Sequence, residues 1–169
     1  SPFARVAASV MPAVVSIRTM SNFDHPDVGG NLDRFFRNPG EMDRPGAGSG
    51  FVIESDGYIL TNNHVVNQAS RIEVRLKNGK SFPAKLVGAD SATDLAMLKI
   101  DARNLPQAEF GSSEKARVGQ FVIAIGSPFG LDYTVTTGVL SAKGRGGIGA
   151  NEIEDYLQSD ARTKPRKPG

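Results

Sequence analysis

A chain of 169 residues, 39% hydrophobic and 22% charged with a mean hydropathy of −0.25, carries enough apolar mass for a packed core in one ordinary domain or two small ones. With no cysteine and two histidines it has no disulfide, thiolate nucleophile or zinc–cysteine centre, a multi-histidine metal site is not expected, and no apolar run approaches the ~20 residues of a membrane span. The pI near 9.0 comes from the C-terminal stretch alone: without Arg162, Lys164, Arg166 and Lys167, 16 Lys and Arg face 18 Asp and Glu, which gives no reason to expect a nucleic-acid partner.

The opening SPFARVAASVMPAVVSI has no Met, basic n-region or long apolar h-region, and reads as a mature or trimmed form. Val14–Thr19 reads as a short strand after Pro12, and helical periodicity is nearly absent before Asn151. Residues 20–47 hold four Gly and three Pro and no usable period beyond one helical turn at LDRFF (Leu32–Phe36), which predicts a long surface loop. His25, beside Pro26 in that loop, reads as a solvent histidine, because a flexible loop works against preorganisation.

From Gly48 the pattern changes to short strands joined by tight turns. SGFVIE and YILTN flank Asp56-Gly57; RIEVRL and SFPAKLV flank Asn78-Gly79, with Ile72, Val74 and Leu76 alternating against charged residues. DLAMLKI is another strand, apolar at Leu95, Met97 or Leu98, and Ile100; QFVIAIG and YTVTTGVLSAK are two more. Strands with turns about every ten residues predict an antiparallel all-β barrel or sandwich.

His64, in TNNHVV, follows one strand, and Asp94, in TDLA, opens another. Both stand where a strand meets a loop, the place where a β scaffold presents reacting groups. An Asp accepting the Nδ1 proton of a His fixes the tautomer and leaves Nε2 free as a base. Residue type alone also allows a hydrogen-bonded corner of the core, since any β protein has a His and several Asp at strand ends.

The stretches GSGFVIESDGYILTNNHVV, TDLAMLKI and FGSSEKARVGQFVIAIGSPFGLDYTVTTGVLSA closely resemble the HtrA/Deg family of trypsin-like serine proteases, from about Val10 to Ala161. The resemblance implies a chymotrypsin-like double β-barrel with the active site in the cleft between barrels. It assigns His64 as general base and acid and Asp94 as its orienting carboxylate. It also implies unfolded or misfolded polypeptides as substrates, a homotrimer, a periplasmic or other extracytoplasmic location, downstream PDZ modules and no cofactor. The division expected is residues 1–104 as the first barrel, 105–161 as part of the second, and 162–169 as a basic tail outside the family pattern.

In that family the segment corresponding to LQSDA (Leu157–Ala161) runs into a Gly-Asn-Ser-Gly-Gly loop that supplies the serine nucleophile and oxyanion-hole amides. Here RTKPRKPG follows, and GNSGG occurs nowhere in the 169 residues. Ser127, in IGSPFG, is not in a G-x-S-x-G elbow, because Ile125 stands at the first Gly position. Ser49 fits a structural role at a strand start, and Ser141 and Ser159 have no motif support. The expectation is a truncated, catalytically incompetent chain whose second barrel is half built, with an uncovered apolar face prone to self-association. The alternative is a non-catalytic protein that binds unfolded polypeptides or family oligomers. GRGGIG (Gly144–Gly149), before a plausible helix starting NEIEDYL with Asn151 as N-cap, matches a dinucleotide fingerprint only superficially, because no βαβ unit precedes it.

Overall fold

Six short segments with period-two alternation each present one apolar face, and closing them into a ring lets every one bury it. The computed structural model describes residues 1–22, 43–127, 132–145 and 156–161. Strands β1 (Val14–Asn22), β2 (Asp43–Glu54), β3 (Tyr58–Asn62), β4 (Arg71–Arg75), β5 (Ser81–Asp90) and β6 (Leu95–Ile100) form a closed antiparallel barrel in the order β1-β2-β3-β6-β5-β4. Pairing of β1 with β4 completes the ring. Its interior is Val15, Ile17, Val52, Ile59, Val74, Leu98 and Ile100, each 1% exposed or less. Bulges after Val52 in β2 and after Leu86 in β5 supply local twist that closure requires.

Two glycines make tight spots possible. Gly57 takes φ +107° in the β2–β3 turn, a conformation costly for any side chain. At Gly50 a Cβ would press on the Leu60 carbonyl and the Ile17 side chain, so β2 lies against its neighbours only without one.

Every strand expected before Asp101 is present, with differences of extent and phase. In β6 the inward residues are Ala96, Leu98 and Ile100, while Leu95 is 43% exposed. The phase is set by pairing with β3, where Ile59 faces Leu98. The β1–β2 ladder also runs into both ends of the segment read as loop, pairing Met20 with Pro45 and Asn22 with Asp43, so main-chain pairing overrides the Gly and Pro content there. The turn expected at LDRFF lies outside the described residues.

One further reading is corrected. Residues 2–10 form helix α1, Pro2–Val10, followed by a 3-10 turn at Met11–Ala13. Pro at the helix start and three alanines favour it, but nine residues are too few for a legible period. The sequence near Tyr156–Ser159 allows a further strand as well as the end of a helix starting at Asn151; the structure has the strand, β9 (Tyr156–Ser159), held by pairing with β8 (Thr134–Arg145), and Asn151–Asp155 lie outside the described residues.

A second sheet, β7 (Phe121–Gly126), β8 (Thr134–Arg145) and β9, is antiparallel in that order. Contacts among the described residues tie it to the barrel and to α1. The Ser127 amide donates to Ser49 Oγ (2.7 Å), the Tyr133 hydroxyl donates to the Val14 carbonyl (2.7 Å), and Phe3 of α1 meets Phe121 edge-on at 5.3 Å. The architecture is therefore the expected one, a closed barrel beside a partial second sheet.

The β6 phase yields a direct test. Leu98→Ala should cost about 2–5 kcal/mol of unfolding free energy, as for other core leucines, while Leu95→Ala should stay within roughly 0.5–1 kcal/mol. Urea denaturation of both variants measures this; equal losses would contradict the assigned phase.

Candidate active site

The site follows from strand register. Antiparallel pairing sets Asn62, the last residue of β3, opposite Leu95, the first of β6. Residues 63–64 and residue 94 are therefore neighbours although thirty positions apart. After Asn62 the chain turns into one short helix, α2 (Asn63–Val66), anchored by Val66 at 2% exposure. Val65 of this helix lies so close to β2 that a Cβ at Gly48 would collide with it.

Asp94 is held from three sides. Its carbonyl accepts from the Asn63 amide (3.0 Å) and from the Asn62 side-chain amide, Nδ2 (3.1 Å). Its carboxylate accepts from the His64 backbone amide at Oδ1 (2.8 Å) and lies 2.6 Å from His64 Nδ1 at Oδ2. Its backbone sits at φ +56°, the left-handed region that Asp tolerates better than most residues. The preceding turn is braced by Asp90, whose carboxylate accepts from the Ala92 amide (3.1 Å) and the Thr93 hydroxyl (2.7 Å).

The electrostatics follow from these contacts. Partial burial raises the Asp94 carboxyl, but bonds from the His64 amide and imidazole, the imidazole's charge and the Asn63 amide together outweigh it, and the group lies below its ordinary value. Asp90 is likewise lowered, first by the Thr93 hydroxyl and then by the Ala92 amide. An ionised Asp94 only accepts, so the neutral imidazole carries its proton on Nδ1 and its lone pair on Nε2. The His64 side chain is 71% exposed and Asp94 18%, so the carboxylate is sheltered while the ring faces outward. Such a pair can take a proton at Nε2 and return it.

The serines weighed above have other partners. Ser127 is fully buried with its amide on Ser49 Oγ, and the Ser49 carbonyl accepts from the Thr61 hydroxyl at 2.8 Å. Ser159 Oγ accepts from the Ala161 amide, and Ser141 Oγ donates to the Val139 carbonyl. Ala161 is 8% exposed, and its backbone packs where Gly138 of β8 has no side chain. His25, Gly146–Gly149 of GRGGIG and the tail 162–169 lie outside the described residues. Among the described residues there is no group of three or more His, Cys, Asp or Glu able to hold a metal, and no helix is long and apolar enough to cross a membrane.

Sequence reasoning placed His64 and Asp94 together but missed Asn62, Asn63, Asp90 and Thr93, which hold the carboxylate. The signal was present as Asx and Thr residues at strand ends, the types that bond locally to backbone.

The trypsin-like peptidase domain family matches residues 48–168, a span that includes most of the basic tail. The chain is 40% identical over 189 aligned residues to a probable periplasmic serine endoprotease DegP-like of Chlamydia pneumoniae, covering 99% of this chain and 39% of that protein. It is 43% identical over 168 residues to the protein of the same description from Pseudomonas putida strain F1, covering 99% of this chain and 35% of the relative. Among solved structures, HtrA-type protease AlgW with a decapeptide superposes with a TM-score of 0.76 at 39% identity, over 94% of this chain and 51% of that one. AlgW with a tripeptide gives 0.78 at 38% identity, over 94% and 46%. The chain thus spans about two fifths of the length of the curated relatives it matches.

The lowered Asp94 carboxyl gives a pH prediction. Its stabilising effect is complete above the ordinary value of 3.8 and is lost as pH falls through the lowered folded-state value. The difference in unfolding free energy between the parent and Asp94→Asn should therefore stay constant from about pH 6 to pH 4 and shrink below. Urea midpoints across that range check it; a difference that shrinks above pH 4.5 would contradict the assignment.

Proposed function

The chain belongs to the trypsin-like peptidase family, in its HtrA/Deg branch, and from that premise we propose that His64 and Asp94 are the base and orienting acid of a serine endopeptidase. The observation that carries this reading is the double grip of Asp94 on His64, through the backbone amide at 2.8 Å and Nδ1 at 2.6 Å. In the reaction, His64 Nε2 takes the proton of an attacking serine hydroxyl and later gives it to the leaving amine. Asp94 keeps the ring in the tautomer that makes this possible and stabilises the imidazolium without itself being protonated. The substrates are unfolded or misfolded polypeptides in the periplasm, in a protein-quality-control role under stress, and the working assembly is a trimer; the relatives' descriptions support the periplasmic location and endoprotease activity, and the family resemblance supports the rest.

The nucleophile and oxyanion amides have no counterpart within these 169 residues, which contain no GNSGG. Ser49, Ser127, Ser141 and Ser159, the serines weighed for that role, are engaged in the structural contacts given above. A triad serine accounts for about 10⁶-fold of turnover, so the 169-residue polypeptide by itself should not hydrolyse peptide bonds. A second reading, binding of unfolded polypeptide without cleavage, is favoured by exposed apolar side chains, Phe121 of β7 at 72% and Phe110, edge-on to Phe51 of β2, at 70% among them.

Both parts can be tested together. The 169-residue chain should not be labelled by a fluorophosphonate probe; labelling that His64→Ala abolishes would overturn the claim of inactivity. Residues 1–161 joined to the remainder of a protease domain that carries the GNSGG loop should cleave unfolded casein. In that hybrid Asp94→Asn should lower turnover about 10⁴-fold and His64→Ala about 10⁶-fold. Cleavage insensitive to either substitution would remove the proposed roles, and saturable casein binding by the 169-residue chain alone would support the second reading.

A further inference from the structure

The end of the closed barrel opposite the His64–Asp94 pair opens into a cavity of about 590 Å³. Asp94 precedes the first residue of β6 and the cavity wall begins at Ala102, just past its last, so the two sites lie about 20 Å apart along a six-residue strand. Two walls face each other across this mouth. One is the β4–β5 turn, closed by bonds from the Leu76 amide to the Lys80 carbonyl and from the Gly79 amide to the Leu76 carbonyl, both 2.9 Å. The other is the chain leaving β6, fastened by the Leu105 amide on the Ser55 carbonyl (3.0 Å), with Asn104 in the left-handed region at φ +54°.

The lining divides by chemistry. Val52, Leu76, Phe82 and Leu105 make an apolar floor, all four belonging to or packed against the barrel core. Lys77, Lys80 and Arg103 stand among the lining residues, and no acidic residue does. None of the three cations forms an ion pair with another described residue. Lys77 alone has a further contact, lying 6.0 Å from the centre of the Tyr133 ring. Barrel mouths are a recurrent place for small ligands, and a concave apolar surface with a few convergent charges is their usual form.

We infer that this mouth binds a small apolar anion, a medium-chain carboxylate, with its hydrocarbon on the Val52–Leu76–Phe82–Leu105 floor and its carboxylate among Lys77, Lys80 and Arg103. Apolar area removed from water holds the chain, and unpaired cations over a floor without acids select the sign of the head group. Neither part depends on the chemistry proposed for His64, which lies at the other end of the barrel.

Octanoate titrated into the ¹⁵N-labelled chain is the probe. It should shift the amides of residues 76–82 and 102–105 saturably, while octylamine leaves them in place and octanol binds more weakly. The exposed rim allows Lys80→Glu with Arg103→Glu to be made without disturbing the core, verified by unchanged amides on β1, β3 and β6. That double variant should bind octanoate roughly tenfold more weakly or worse. Equal binding of octylamine, octanoate affinity unchanged in the folded double variant, or shifts centred on residues 121–126 and 157 would overturn the assignment.

Discussion

The register between β3 and β6 is the constraint on which the rest of the structure depends. A ladder that sets Ile59 against Leu98 inside the barrel also sets Asn62 against Leu95 at its rim. Side chains on a strand alternate, so a slip of one residue would turn Leu98 out of the core and carry Asp94 away from His64 together. Core packing and site assembly are therefore one requirement. The same hydrophobic burial that closes the barrel positions a polar pair that contributes little apolar area itself.

What the rim adds is local polar bonding. Asn62 and the Asn63 amide hold the Asp94 carbonyl, Asp90 braces the turn before it, and the His64 amide holds one carboxylate oxygen, leaving the other for Nδ1. The carboxylate is thus oriented by groups whose own positions are set by strand ends, in the manner of a preorganised site. In the proposed roles the exposed ring and sheltered carboxylate divide the work: the part that would meet a reactant is open, and the part that would stay ionised is surrounded by donors.

Much of this was legible in the sequence because it rests on period-two alternation and on turn residues. Asp56-Gly57 and Asn78-Gly79 marked two hairpins, and Ile72, Val74 and Leu76 marked an inward face, all of which the barrel contains. The phase of β6 was not legible, since DLAMLKI is apolar at adjacent positions and only its pairing decides which of them turns inward. Helix α1 was missed because nine residues of small and apolar type carry too short a period; the packing of Phe3 on Phe121 supplies what propensity alone does not. The brace around Asp94 was missed for another reason. Asn62 and Asp90 act through backbone groups brought close by register, and a list of reactive residue types does not contain such contacts.

The central claim is that Asp94 holds His64 with its proton on Nδ1 and Nε2 free. Imidazole ¹⁵N spectroscopy in alkaline buffer tests it most directly, with His25→Gln leaving His64 as the single histidine. The account predicts a neutral ring protonated at Nδ1 with an unprotonated Nε2, and loss of that preference in Asp94→Asn. A ring protonated mainly at Nε2, or a tautomer unchanged by Asp94→Asn, would contradict it.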